Sequence, residues 1–396
     1  MDGPLSRKLV ALALSALAFG AACGGSPNPN AGAVATVSAS QSPIQPAANG
    51  LIVLMSSDAN STMSLRLVST KGKVVASAQF TPPPPPAYGP CATLLQPPVR
   101  VAGGAAFFAD SAGVVRKLTT TGAITKVATF QLTNKQQALS YAVSPDGTKL
   151  IAIVISTPPL HDPPPQTIGD PLFAPGTFSL DLETASAGGS TSTVLHKDLG
   201  PTPPQPTIIT GWDDVGPTAT LNSYICVQNG LPSVFYTGSL IHLAPDGTHL
   251  ERIGGSDCQA WDELVDGTVL CGANDWQSFS VRRRDGAVSW SGVASDVMQD
   301  VSLAPDGSAV ASSSPAKTYL QDGTRVASGV RAQVPQVQIV GWADPSTVVI
   351  LRDDGHVGLA SARDLSVFTD LGIVIASPCP TCGFFGVRAI GTLPLA

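Results

Sequence analysis

An all-β fold built as a β-propeller is what this sequence predicts, on three observations. Of its 396 residues only 13% are charged while 39 are Gly and 35 are Pro, a profile suited to short strands and many turns. No stretch shows sustained helical periodicity bounded by caps. Runs of β-branched and aliphatic residues recur with turn signals between them, and the shorter intervals match the roughly 40–50 residues of a four-stranded blade.

The chain opens with Arg7 and Lys8, an apolar segment from Leu9 to Phe19, and Gly20-Ala21-Ala22 before Cys23, which reads as a secretory signal over residues 1–22. Its end resembles the lipobox of bacterial lipoproteins, in which the cysteine is acylated and becomes the mature N-terminus. The lipobox usually carries leucine three residues before the cysteine, where this chain has Gly20. The resemblance implies a lipid on Cys23; the alternative is an ordinary cleaved signal with an incidental cysteine. Residues 24–48 are rich in Gly, Ser, Pro, Asn and Ala with almost no charge, so residues 23–48 are expected to form a lipidated cysteine and a flexible tether. No other stretch reaches the roughly 18 apolar residues that span a bilayer. The expected location is therefore outside the cytoplasm, as a cell-membrane lipoprotein or in the periplasm or at the cell surface.

Residues 49–396 carry the repeat. Its clearest copy is 141–156, YAVSPDGTKLIAIVIS. Proline presets φ, aspartate bonds its own downstream backbone and glycine takes a positive φ, so this stretch predicts two antiparallel strands around a tight turn. With strands A to D in each blade, B strands are expected to begin near Leu51, Ala105, Thr148, Thr218, Thr268, Ser308 and Thr347. The A–B turn recurs as Leu303-Ala304-Pro305-Asp306-Gly307 and, in eroded form, after Trp212, Trp261 and Trp342. A second turn class, at Lys71-Gly72, Thr121-Gly122, Asp246-Gly247, Asp285-Gly286 and Asp322-Gly323, joins C to D.

These turns resemble the WD40-like β-propeller repeats of the TolB family, specifically over residues 138–155, 238–254 and 297–328. The separate N-terminal domain of the intact TolB family has no counterpart here, so the resemblance covers the propeller only. The first blade has B, C and D (Leu51–Met55, Met63–Val68, Val74–Phe80) but nothing before Leu51 that reads as an A strand. The C-terminal stretch from Phe385 to Gly391 echoes the A strand Val99–Gly103 and is expected to close the ring, leaving no open radial edge. Seven blades is the count; six is the alternative, because the second blade fits the repeat least well.

In a four-stranded meander the A–B and C–D turns lie on one rim, and the B–C loops and D–A crossovers on the other. The long irregular segments at 81–98, 157–175, 200–206, 228–237 and 372–384 all map to the second rim. Loops gathered on one face usually carry function in repeat folds, so this is the candidate binding face. Tyr88, Phe173, Phe235 and Tyr236 place aromatics there, and His161 and Asp162 lie in the longest insertion. The alternative is that the insertions are merely tolerated and each aromatic packs its own loop.

Six cysteines follow Cys23, an even number that favours disulfides in an exported chain. Cys258 enters one A strand and Cys271 leaves the antiparallel B strand beside it, which predicts a Cys258–Cys271 bridge. Cys91, Cys226, Cys379 and Cys382 fall at the same rim, and Cys91 is a candidate partner for one of the last two. Cys379-Pro380-Thr381-Cys382 is a C-x-x-C without the predicted helix N-terminus of a redox motif or the further ligands of a zinc site.

A net charge of −6 with no basic face argues against nucleic-acid binding, and Arg282-Arg283-Arg284 reads as a solvated strand edge. His242 and His249 straddle one hairpin and are expected to be exposed. No G-x-S-x-G, H-E-x-x-H or P-loop signature is present. We therefore expect no catalytic residue, cofactor or metal, and a membrane-anchored module that recognises a protein, peptide or glycan on the long-loop face. The alternative is an extracytoplasmic hydrolase or lyase with an acidic site at the channel mouth, for which Asp257, Asp296 and Asp300, near the starts of A strands, and His161 and Asp162, in the longest insertion, are the candidates.

Overall fold

Alternating apolar runs and tight turns fold into seven four-stranded antiparallel sheets arranged as a seven-bladed propeller. The computed structural model describes residues 50–57, 62–83, 87–88, 91–92, 98–133, 137–159, 173–201, 207–221, 227–228, 231–232, 238–273, 277–296, 298, 301–313, 316–327, 337–375 and 387–394. All of them belong to the compact unit Ile44–Ala396.

Blade 1 begins with β1 (Gly50–Ser57), β2 (Met63–Ser69) and β3 (Val74–Phe80), and a small hairpin of β4 (Ala87–Tyr88) and β5 (Cys91–Ala92) follows. Blade 2 is β6 (Val99–Ala102), β7 (Ala105–Ala109), β8 (Val114–Thr119) and β9 (Ile124–Thr129). Blade 3 is β10 (Gln137–Val143), β11 (Lys149–Ser156), β12 (Phe178–Ser186) and β13 (Thr191–Gly200). Blade 4 has β14 (Ile208–Trp212) and β15 (Pro217–Leu221), then a hairpin of β16 (Val227–Gln228) and β17 (Leu231–Pro232), then β18 (Ser239–Leu243) and β19 (His249–Arg252). Blade 5 is β20 (Gln259–Glu263), β21 (Val269–Gly272), β22 (Ser278–Arg282) and β23 (Val288–Val293). Blade 6 is β24 (Ser302–Leu303), β25 (Ala309–Ser312), β26 (Lys317–Leu320) and β27 (Arg325–Ala327). Blade 7 is β28 (Val337–Asp344), β29 (Thr347–Arg352), β30 (His356–Ser361) and β31 (Asp364–Val374). The last strand, β32 (Val387–Pro394), returns to blade 1.

Closure follows from one pairing. β32 lies antiparallel to β1, with Leu393 opposite Leu51 and Val387 opposite Ser56, so the C-terminus supplies the inner strand that the first blade lacks. All seven expected B strands are found, and blade 2, the weakest match to the repeat, is a complete four-stranded sheet.

The B strands read as continuous apolar runs because each blade is packed on both faces. On β11, Leu150, Ala152 and Val154 pack toward blade 2, while Ile151, Ile153 and Ile155 pack toward blade 4. The outer strands bury one face only: in β3, Ala76, Ala78 and Phe80 are buried and their neighbours are exposed. Each of the seven interfaces between adjacent blades holds its own apolar cluster, and full burial of a Leu or Ile there contributes roughly 1.5–3 kcal/mol. The smallest of these clusters lies between blades 4 and 5: Leu240, Ile253, Cys258, Ala260, Val269 and Cys271.

The turn between β10 and β11 works as its residues dictate. Asp146 Oδ1 accepts from the Ser144 hydroxyl (2.5 Å) and the Thr148 N–H (3.0 Å), the Lys149 N–H donates to Ser144 Oγ (2.9 Å), and Gly147 sits at φ 74°. Aspartates 246, 266, 306, 322 and 344 likewise each accept the N–H two residues on. Two of the long segments, expected to be irregular, contain the β4–β5 and β16–β17 hairpins, and β5 lies beside β16.

Candidate functional site in the central channel

The inner strands enclose a channel whose cavity is about 780 Å³. Its walls are more apolar than polar, with Val101, Ala142, Ile339, Ile390 and the indoles of Trp212, Trp261 and Trp342 among them, and charged side chains enter it in two groups. Blades 1 and 2 contribute Arg388 and Arg100; blades 4 and 5 contribute Asp213, Asp214, Asp262, Glu263 and Asp266.

Local structure holds each of these side chains. Arg100 Nε donates to the Tyr141 carbonyl and Nη1 to the Val99 carbonyl, both at 3.0 Å, and the guanidinium lies 5.5 Å from the centre of the Tyr141 ring. The tyrosine hydroxyl in turn donates to the Pro98 carbonyl at 3.0 Å. β20 is irregular at Trp261, where its pairing with β21 shifts register, and consecutive acids follow on the next two positions. Asp262 turns toward blade 6, where Oδ2 accepts the Leu303 N–H at 2.7 Å, while Oδ1 accepts the Glu263 N–H at 2.9 Å. Glu263 turns toward blade 4 and accepts the Thr218 hydroxyl at 2.7 Å. Gly211 makes that possible: a Cβ there would fall 2.2 Å from Glu263 Oε1.

Enclosure sets the protonation of this pair. Loss of solvation pushes the Asp262 carboxyl up to about 6, against the pull of its N–H donors and of Arg388. The same loss pushes Glu263 up to about 7, opposed by Thr218 and Thr210 and reinforced by the nearby charges of Asp262 and Asp213. Both carboxylates are partly open to the lumen although protein surrounds them.

Next to the channel, the seam between blades 4 and 5 is polar. His242 is only 1% exposed, with Nε2 at 2.8 Å from Asp213 Oδ2 and Nδ1 at 3.2 Å from Glu251 Oε1. A ring with both nitrogens against carboxylates is best matched by the doubly protonated imidazolium. Burial alone would lower its pKa, but Asp213 and then Glu251 outweigh that and raise it. Asp213 is 3% exposed and also accepts from Arg284 Nη2 at 3.0 Å and from the N–H groups of Val215 and Gly216 at 2.9 Å. Its own pKa is pushed up by burial but lowered on balance by these partners.

Several expectations are corrected here. His242 is buried in this network, whereas His249 on the same hairpin is exposed. Arg282 and Arg284 are not a solvated edge: Arg282 pairs with Asp257 at 2.7 Å and Arg284 pairs with Asp213 and Asp214, leaving Arg283 exposed. Asp257 and Asp296 stay on the surface, the latter paired with Lys317, and neither is among the channel carboxylates. Asp300 lies outside the described residues. Phe173, expected on the binding face, is 8% exposed and meets Phe178 edge-on at 5.1 Å, so it packs the interface of blades 3 and 4.

The structure joins Cys258 to Cys271 in a disulfide with Cα atoms 5.0 Å apart. Tyr88 and Cys91 lie on the β4–β5 hairpin. Cys23, His161, Asp162, Cys226, Phe235, Tyr236, Cys379 and Cys382 lie outside the described residues. Sequence reasoning missed Asp262 and Glu263, because it read the residues after Trp261 as an eroded A–B turn, whereas both lie on the inner strand β20. Among the described residues no group of three or more His, Cys, Asp or Glu is placed to hold a metal ion.

Fold and channel together define a seven-bladed β-propeller with a charged lumen. No family model matches the chain, and no curated protein matches it. Among solved structures it is similar to an oligogalacturonate lyase in complex with manganese, at 12% identity and TM-score 0.44 over 78% of this chain and 92% of that one. It is also similar to a putative TolB from Agrobacterium tumefaciens, at 14% identity and TM-score 0.33 over 86% of this chain and 91% of that one. A third is YCF48 bound to D1 peptide, at 12% identity and TM-score 0.41 over 72% of this chain and 86% of that one. At such identities the likeness concerns the propeller architecture alone.

Proposed function

We propose that this protein is an exported, lipid-anchored recognition module that binds a protein, peptide or glycan on its long-loop face. One observation carries the reading. The chain enters the propeller at Gly50 and leaves it at Pro394, and these two residues pair with each other at the rim of the short A–B turns. In this reading the tether joins the propeller at Gly50, on the rim opposite the insertions, which supports the long-loop face as the one offered to a partner. The insertions of blades 1 and 4 support this, since their hairpins come together instead of trailing separately.

The test is mass spectrometry of the mature N-terminus together with partner capture by full-length protein in liposomes. A diacylated Cys23, and a partner lost when residues 157–175 are replaced by a short Gly-Ser linker, are the expected results. An unmodified start downstream of Cys23 would sink the anchor, and undiminished capture by the loop variant would sink the face.

A second reading has its own observation. Asp262 and Glu263 are neighbouring channel carboxyls with raised pKa values, which suits general acid and base work. Recognition is preferred because the bonds these carboxyls make, to Leu303 and Thr218, tie neighbouring blades together.

A further inference from the structure

The channel is polarised across its width. Both arginines stand on the arc of blades 1 and 2, and the carboxylates stand on the arc of blades 4 and 5. The two arcs are within electrostatic reach of each other: the charge of Arg388 acts on Asp262, and that of Glu263 acts on Arg100. Much of the lining between them is apolar, and in a lumen partly withdrawn from water a charge interaction is worth more than in bulk water.

Preorganisation is the second element. Arg100 is pinned by two carbonyls and a ring, Asp262 by two N–H groups and Glu263 by a hydroxyl, so little side-chain entropy remains to be lost on binding. Each Asp262 oxygen accepts one bond from the backbone, and a carboxylate oxygen has capacity for a second. The cavity, about 780 Å³, falls within the roughly 300–1,000 Å³ range of small-molecule sites.

Ligand charge then selects among chemical classes. A simple anion would face the carboxylates, a simple cation would face the arginines, and a neutral sugar would draw on the charge of neither arc. A molecule with separated opposite charges satisfies both. We propose that the central channel binds a small zwitterion, a free amino acid or a short peptide with free termini. Its carboxylate is turned to Arg100 and Arg388, and its ammonium to Asp262 and Glu263. This rests on the channel geometry and is independent of the lipid anchor and of the long-loop face.

The experiment is isothermal titration of the full-length protein in detergent with the free L-amino acids and with dialanine, followed by N-acetylated and C-amidated forms of whichever binds. The expected result is at least one unblocked compound bound with Kd near or below about 1 mM, and a loss of at least tenfold, about 1.4 kcal/mol, on blocking either end. Asp262→Asn should abolish the discrimination against the N-acetyl form, and Arg388→Gln the discrimination against the amide. Blocked ligands probe the wild-type protein, so the outcome does not depend on how the variants fold. Absence of binding by every unblocked compound, or equal binding of blocked and unblocked forms, would overturn the proposal. Neither result bears on partner capture by the long-loop face.

Discussion

His242 shows how a single buried side chain organises its surroundings. It stands between Asp213 and Glu251, and Asp213 is shared with Arg284 of the next blade, so one carboxylate serves two cations from two blades. Removing that carboxylate leaves the buried imidazolium with only Glu251, itself largely exposed, as counter-charge. Asp213→Ala is expected to destabilise the protein by about 3–5 kcal/mol in urea unfolding, whereas Asp214→Ala, at an exposed neighbour, should change it by less than about 1 kcal/mol. The pH dependence has a definite sign. Groups whose folded pKa is raised stabilise the fold at low pH and lose that contribution as pH rises. For Glu263 the loss runs from its ordinary value of 4.5 to about 7, for Asp262 from 3.8 to about 6, and for His242 it begins above 6.5. The urea midpoint should therefore fall between pH 5 and pH 8, and Glu263→Gln should make the fall shallower. A midpoint that rises over this interval would contradict the assignment.

At the level of strands and turns, the interface of blades 4 and 5 stands apart. Its apolar cluster is the smallest of the seven, and the Cys258–Cys271 bridge lies within it. The bridge ties β20 to the strand beside it and closes a short loop, with a sequence separation of 13. Replacing both cysteines by serine is expected to lower stability by about 3 kcal/mol, read from chemical denaturation with and without the bridge. The β10–β11 turn supplies a second case. Gly147 has φ 74° and a Cβ there would lie 3.3 Å from the Gly103 Cα of blade 2, so Gly147→Ala should cost about 1–2 kcal/mol. A thermal midpoint unchanged by that substitution would show that the turn adjusts freely. Such turns were legible in the sequence because proline, aspartate and glycine act within five residues of one another. The β4–β5 hairpin was not, since its proline-rich segment gives no alternating apolar pattern from which to infer pairing; β16–β17 was missed although the sequence between its strands is Asn229-Gly230, a hairpin signal.

In the molecule as a whole, stability depends on closing the ring. Leu393 and Val387 are buried against β1 and its neighbours, and without β32 the first blade would expose an unpaired inner edge to the lumen. Deletion of residues 387–396 is expected to abolish cooperative unfolding and give aggregation on size-exclusion chromatography. A monomeric, cooperatively folded truncation would show that the other six interfaces suffice. The missing first strand at Leu51 and the echo of Val99–Gly103 near the C-terminus made this closure readable in advance.

Blade number, strand order and the identity of the short-turn rim are properties of local pattern. Period-two alternation, continuous apolar B strands and Asp-Gly turns act over a few residues, and the chain repeats them often enough to be counted. The channel site follows another logic. Asp262 meets Leu303 and Asp213 meets Arg284 across separations of 41 and 71 residues, and Arg388 acts on Asp262 only because the ring closes. Nothing in the immediate neighbourhood of Asp262 or Arg100 marks them as facing one lumen. Their juxtaposition comes from the circular packing of inner strands, which brings residues together by blade geometry and not by spacing along the chain.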